Sequence, residues 1–326
     1  MMHSRRSLLR NIAAGLMLGS MGTLGGCAPA RPMTVASHVW PGYAFMFLAR
    51  DEGWLDTSRV QLVETRSATA SLEALARHEV VAAALTLDEV LRARDQGLPL
   101  TIVLVFDVSV GADVVLARPA ISSLTDLRGV RIGVEEGALG GVILAHLLRH
   151  AGLEADEVVR VPLRVDQHLE AWQRGTIDAL ITYEPVTSAL LAQDAHILFD
   201  SRRIPDTIFD VLAVNQGWLE AHRKAIAHLI AVHFRGLHAL QRNPGDTAFR
   251  LARHLGLPGQ AVMGLYRGLS LPGIDANRSY LDPRDSRLLD AARRVSDVLL
   301  QAGQLRGPAS LAELATPRFL PSGVRP

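Results

Sequence analysis

Met33-Thr34-Val35-Ala36-Ser37-His38-Val39, Trp40-Pro41-Gly42-Tyr43 and Ala44-Phe45-Met46-Phe47-Leu48-Ala49-Arg50-Asp51-Glu52 follow one another without a break. The first run is short and rich in strand formers, the second is a Pro-Gly turn, and the third is a helical stretch. Together they predict a strand over 33–39 and a helix over 44–52, the repeating unit of a parallel βαβ sheet. The unit recurs, with strands predicted over 60–65, 81–85 and 100–106, helices over 70–77 and 87–96, and an extended run over 112–117.

After Pro119 a second set begins. A short helix over 124–127 precedes strands over 130–134, 158–161, 179–182 and 196–199, with helices over 140–150, 167–174 and 185–193. Another extended run covers 211–215, and from Trp218 only helices are predicted, over 219–241, 246–254, 258–267 and 287–302. Strands that stop while helices continue suggest that the chain returns to cover its first set. The expectation is an α/β fold of two lobes: 33–116 with 214–326, and an inserted 117–213, joined by crossover strands at 112–117 and 211–215. A length of 326 residues suits two lobes of ordinary size.

The first residues read as a leader rather than as fold. Arg5, Arg6 and Arg10 precede an apolar, Gly- and Ala-rich run from Ile12 to Leu24, too short for a comfortable membrane span. Ser4-Arg5-Arg6-Ser7-Leu8-Leu9 resembles the twin-arginine export motif, and Leu24-Gly25-Gly26-Cys27 resembles the bacterial lipobox. Cys27 is the one cysteine of the chain, as a lipidation site requires. The reading is a cleaved signal peptide over 1–26, a lipidated tether over 27–32, and an exported protein on the periplasmic or cell-surface side, held to the membrane by lipid alone. Losing three arginines takes the formal charge from +1 to about −2, and no basic run remains to meet a nucleic acid.

Ligands of open parallel sheets sit at the carboxyl ends of strands, so the residues that follow each predicted strand are the candidates. They are Trp40 and Tyr43; Thr86 and Asp88; Asp107 and Ser109; Glu136 and Gly137; Tyr183 and Glu184; and Asp210, ahead of the second crossover. Several have structural uses as well. Thr86 with Glu89 forms a capping box, and Glu184 before Pro185 suits a helix start. Trp40 and Tyr43 are either packing between lobes or walls for a ligand to stack on. The glycines from Gly137 to Gly141 open a helix whose amides could hold an anion, but Glu135 and Glu136 stand against that and the spacing is not GxGxxG. His146 and His150 have metal-ligand spacing without a clear third ligand, so no metal is expected. There is no Gly-x-Ser-x-Gly elbow, Cys–His pair or P-loop, and neither catalysis nor a cofactor is expected.

Trp40-Pro41-Gly42-Tyr43 leading into Phe47-Leu48-Ala49-Arg50-Asp51-Glu52-Gly53-Trp54 resembles the opening of the nitrate/sulfonate/taurine-type solute-binding proteins of ABC importers, a group that includes binders of thiamine pyrimidine precursors. The likeness continues through Ala82 to Glu89, Leu124 to Val134 and Asp178 to Pro185. It implies a periplasmic-binding-protein-like type II fold with parallel-type sheets, and a monomer that closes on a small solute and hands it to an ABC permease driven by its ATPase.

Asp88, Asp107, Glu136, Glu184 and Asp210 supply carboxylates to the candidate loops, and no Lys or Arg accompanies them. Like charges a few Å apart in a partly dry cleft cost about 1–4 kcal/mol, which disfavours nitrate or a sulfonate. An amine or a nitrogen heteroaromatic such as an aminopyrimidine fits better. Two rivals stand beside import. One is a pyrimidine-forming enzyme on the same fold, weakened because the sole lysine, Lys224, lies in a charged helical stretch. The other is an anchored receptor that presents its solute to a membrane sensor.

Overall fold

The computed structural model of the chain describes residues 31–284 and 286–322. Cys27, the leader and most of the tether lie outside the described residues. In chain order the strands and helices are β1 (Met33–Ser37), α1 (Ala44–Asp51), β2 (Val60–Glu64), α2 (Ala68–Ala76), β3 (Ala82–Thr86), α3 (Leu87–Asp95), β4 (Leu100–Ser109) and β5 (Val114–Ala117). There follow β6 (Arg131–Val134), α4 (Gly140–Ala151), β7 (Val159–Pro162), α5 (His168–Gln173), β8 (Ala179–Thr182), α6 (Val186–Leu191) and β9 (His196–Asp200). The chain ends with β10 (Phe209–Asn215), α7 (Arg223–Arg242), α8 (Pro244–Leu255), α9 (Gly259–Leu265), β11 (Leu269–Ser270), α10 (Ile274–Tyr280) and α11 (Arg287–Gln301).

Two sheets result. One has the order β11-β4-β10-β3-β1-β2 and the other β7-β6-β8-β5-β9. β1 runs parallel to β2 and β3, and β6 parallel to β7 and β8, as helical crossovers require. Every residue of β3 and β4 is buried, because helices cover both faces; hence these strands read as unbroken apolar runs.

The sheets exchange strands twice. β5 lies antiparallel between β8 and β9, and β10 antiparallel between β3 and β4. The sheets are therefore mixed rather than purely parallel, since a strand arriving from the other sheet enters from the opposite end. Sheet membership changes over residues 110–113 and 201–208, ahead of the crossover strands themselves. Ser201 ties the two connections together. Its hydroxyl lies 2.8 Å from that of Ser109 and accepts the Gly111 N–H at 2.6 Å, while its own N–H donates to the Asp113 carbonyl at 3.0 Å. Gly111 has φ +114°, a conformation that glycine adopts without a Cβ penalty.

After Asn215 the sequence predicts helices alone, but β11 pairs antiparallel with the end of β4, and α10 is a further helix. A two-residue strand carries no periodicity to read. These late segments close the free edge of β4. Beyond β11, the wholly buried Asn277 accepts the Val105 N–H at 2.7 Å and donates to the Val105 carbonyl at 3.1 Å, as a neighbouring strand would. Further along, the Ile102 N–H donates to the Leu314 carbonyl at 2.8 Å, and the Thr316 N–H to the Ile102 carbonyl at 3.0 Å. Asn277→Ala strands two buried backbone groups of β4, and urea unfolding is expected to show a loss of about 2 kcal/mol.

Candidate functional site

Parallel strands that enter two sheets from opposite sides bring their carboxyl ends to one place. His38 and Trp40 after β1, Thr86 and Glu89 at β3, Glu135 and residues 138–140 after β6, and Thr182 and Tyr183 at β8 line a common cavity. Asp113 and Asp210, beside the two changeovers, complete it with Ala68 and His168. The space open to the centre of a water-sized sphere is about 30 Å³, a narrow volume that favours small or flat guests.

Below Trp40 lies a buried acid pair. The Trp40 indole N–H donates to Asp107 Oδ2 at 3.0 Å, and the Tyr43 hydroxyl donates to Asp210 Oδ1 at 2.5 Å. Asp107 and Asp210 are register partners on β4 and β10, so two carboxyl groups are buried side by side and burial favours the protonated form of each. Burial pushes Asp107 up to about 7; burial and the Asp107 charge push Asp210 well above the usual carboxylate range. Gly42 is obligatory here, since a Cβ would stand 1.7 Å from Asp107 Oδ2. Trp40 meets Tyr183 edge-on at 5.3 Å, and His38 meets Tyr43 edge-on at 5.4 Å, so the aromatic wall joins both sheets.

At the start of α3 the Thr86 N–H donates to Glu89 Oε2 at 2.8 Å, the reciprocal bond of a capping box. The Thr86 hydroxyl donates to Asp88 Oδ1 at 2.7 Å, and Asp88 is paired with Arg92 at 2.5 Å in a nearly dry setting. The Arg92 charge is thereby spent on Asp88. Glu89 is pushed up to about 8 by burial and by the Asp88 charge, and burial pushes Asp113 up to about 7. On the far wall Glu135 Oε1 accepts both the Thr69 N–H, at 3.2 Å, and the Thr69 hydroxyl, at 2.6 Å. Burial holds His38 and His168 down to about 4, so both rings are neutral at pH 7.

The cavity residues keep unused bonding capacity. His38 Nδ1, His168 Nε2, the Tyr183 hydroxyl, Asp113 Oδ2 and Asp210 Oδ2 are buried without a hydrogen-bond partner. Such groups cost free energy until a guest supplies partners.

Of the residues singled out from the sequence, Trp40, Thr86, Tyr183 and Asp210 line the cavity, and Tyr43 and Asp107 lie directly behind it. Asp88 is held by Arg92, Ser109 belongs to the changeover tie, and Glu184 accepts the Ser188 N–H and hydroxyl at 3.0 and 2.8 Å to start α6. Glu136 and Gly137 are exposed; Glu136 lies 3.7 Å from Arg160, and Gly137 turns the chain with φ +80°. Sequence reasoning passed over His38, Glu89, Asp113, Glu135 and His168 as cavity residues. His146 and His150 stand apart from the cavity, the His150 ring bonded to the His146 carbonyl at 2.8 Å, and Lys224 is exposed on α7. Among the described residues no cluster of three or more potential metal ligands occurs.

Two mixed sheets that trade strands twice around a shared cavity define the periplasmic-binding-protein fold. The chain belongs to the NMT1/THI5-like family, whose profile matches residues 40–247. The resemblance to nitrate/sulfonate/taurine-type solute-binding proteins read from the sequence therefore holds. The taurine-binding periplasmic protein of Escherichia coli K12 is 25% identical over 237 residues, covering 70% of this chain and 66% of that protein, just under two thirds of its length. Among solved structures, the alkanesulfonate-binding protein SsuA of Xanthomonas axonopodis pv. citri superposes with TM-score 0.73 at 17% identity, over 90% of this chain and 99% of that one. The desulfurization enzyme DSZB has the same fold, with TM-score 0.62 at 19% identity over 88% and 97% of the two chains.

The buried acids fix a pH dependence. Asp107, Asp113 and Glu89 hold protons more tightly when folded than their ordinary values of 3.8 and 4.5 allow, so their contribution is full at low pH and lost as pH rises through about 7 to 8. The buried histidines act oppositely, but only below their ordinary value of 6.5. Between pH 6.5 and about 8.5 the carboxyls act alone, and the melting temperature of the solute-free protein is expected to fall. Asp113→Asn should lessen that fall in scanning calorimetry.

Proposed function

We propose that the chain is the extracytoplasmic solute-binding protein of an ABC importer, a monomer that delivers a small solute to a permease and its ATPase. The two lobes expected at 33–116 with 214–326 and at 117–213 would have their boundaries moved to the changeovers at 110–113 and 201–208, and would close on the solute about the connections that Ser201 ties together. Contacts from both sides exist together only when the lobes are closed, so the solute draws the population toward that state. Membership of the family and the likeness to the taurine-binding protein support this reading over an enzymatic one. Among the described residues the lining holds no cysteine, serine or lysine.

The solute we infer is an amine or a nitrogen heteroaromatic such as an aminopyrimidine. One observation carries it: Glu89, Asp113, Glu135 and Asp210 line the cavity, and among the described residues no lysine or arginine does. N–H donors of the guest would answer the carboxylates, and a flat ring would lie against Trp40 and Tyr183. A sulfonate-bearing solute is the second reading, favoured by the taurine and alkanesulfonate named for the relatives. Taurine would suit both, since it carries an ammonium group as well.

Thermal shifts with 4-aminopyrimidine, small amines, taurine, ethanesulfonate and nitrate separate the readings. Stabilisation by aminopyrimidine or amines is expected; a response to ethanesulfonate and nitrate alone sinks the cationic reading. Trp40→Ala and Asp210→Asn should each weaken solute binding about 10-fold or more, roughly 1.4 kcal/mol, by titration calorimetry. We also propose that the chain is exported and anchored through lipid on Cys27, on the strength of Leu24-Gly25-Gly26-Cys27. Cys27→Ser is expected to move the protein from the membrane fraction to the soluble fraction, and an unchanged distribution would rule the anchor out.

A further inference from the structure

Glu135 stands immediately after β6, on the five-stranded side, yet its carboxylate is bonded to the other side of the cavity. It takes the Thr69 amide and hydroxyl in the first turn of α2, a nine-residue helix capped by the Ser67 side chain, which accepts the Ala70 N–H at 3.2 Å. The first turn of a helix offers unbonded amides and a partial positive charge, the natural seat of an anion in a cavity without lysine or arginine. Here the chain fills that seat with its own anion. Glu135 itself is buried, only 6% exposed, Thr69 is half-buried, and a second, exposed bond on the same helix supports the same approach: Arg164, after β7, donates to Glu73 at 2.8 Å.

We propose that Glu135 determines the charge of the solute: its carboxylate, bonded across the cavity to Thr69, excludes anionic head groups and helps to recognise cationic or N–H-rich ones. A sulfonate entering the cavity contests donors already engaged, and it meets the Glu135 charge at contact range. A protonated amine meets neither obstacle. Removing the side chain frees the Thr69 amide and hydroxyl and lifts the charge at once. Replacing Glu135 by glutamine lifts the charge but leaves an oxygen to accept the same two bonds. The two variants thus separate electrostatic exclusion from occupation of the seat.

The inference rests on the solute-binding reading above, but its test is a ratio between variant and wild type. Titration calorimetry of the mature chain with ethanesulfonate compares wild type, Glu135→Ala and Glu135→Gln, with circular dichroism showing that each variant is folded. The expected order of ethanesulfonate affinity is Glu135→Ala above Glu135→Gln above wild type, with a gain of at least about 10-fold for alanine. If alanine fails to fold, a gain in the glutamine variant carries the test. Affinity that is unchanged, weaker or undetectable in every folded variant overturns the assignment. Tight ethanesulfonate binding by wild type, in preference to 4-aminopyrimidine, would overturn the cationic solute instead. The ratio would still decide the role of Glu135.

Discussion

The Ser201 hydroxyl accepts the Gly111 amide and meets the Ser109 hydroxyl, so one buried side chain joins the two stretches where the backbone passes from sheet to sheet. Everything about the site follows from that junction. β5 and β10 run against their neighbours because they cross there, and the parallel strands of each sheet consequently aim their carboxyl ends at the other. Asp113 and Asp210 lie beside the crossings and enter the cavity from the changeovers themselves. The closure proposed above would be a rotation about this junction, changing the separation of the two walls while leaving each sheet intact.

Electrostatics is the second determinant. Asp88, Glu89, Asp107, Asp113, Glu135 and Asp210 are buried around one small space, and the buried arginine among them, Arg92, is engaged by Asp88. Burying so many acids is tolerable only if they are protonated, hydrogen-bonded or paired. Each device is in use: Arg92 pairs with Asp88, Trp40, Tyr43 and Thr69 donate to carboxylates, and burial raises Glu89, Asp107 and Asp113. Helix starts do the same work at Thr86, where the amide is given to Glu89. The acidity belongs to the architecture of the cavity and not to one loop.

Much of this is legible in the sequence. The alternation from Met33 to Glu52 and its repeats set out the βα order, and reading the residue after each strand found Trp40, Thr86, Tyr183 and Asp210. The failures have particular causes. Asp88 is claimed by Arg92 one helical turn later, an i,i+4 pair that the sequence displays but that has to be weighed against solvent and cleft. Glu135 and Glu136 are adjacent and chemically alike, and the sequence alone does not say that Glu135 enters the cavity while Glu136 stays exposed. His38 falls inside the strand predicted over 33–39, which the structure ends at Ser37. Ser109 reads as a loop-end ligand because the sequence does not show that β4 continues to it and meets Ser201 there.

The free side of β4 carries a consequence for how the molecule is made. Thr101 donates to the carbonyl of Glu313, 212 residues further along, and Ile102 and Val105 are likewise covered by segments from the final quarter of the sequence. A nascent polypeptide lacking those segments exposes, at β4, a long apolar ribbon with unpaired amides, the kind of surface on which chains aggregate. Closing it requires contacts of very large sequence separation, which form slowly. Assembly of the first sheet therefore depends on segments far from β4 in sequence, and a chaperone that shields β4 until they dock would protect an aggregation-prone edge.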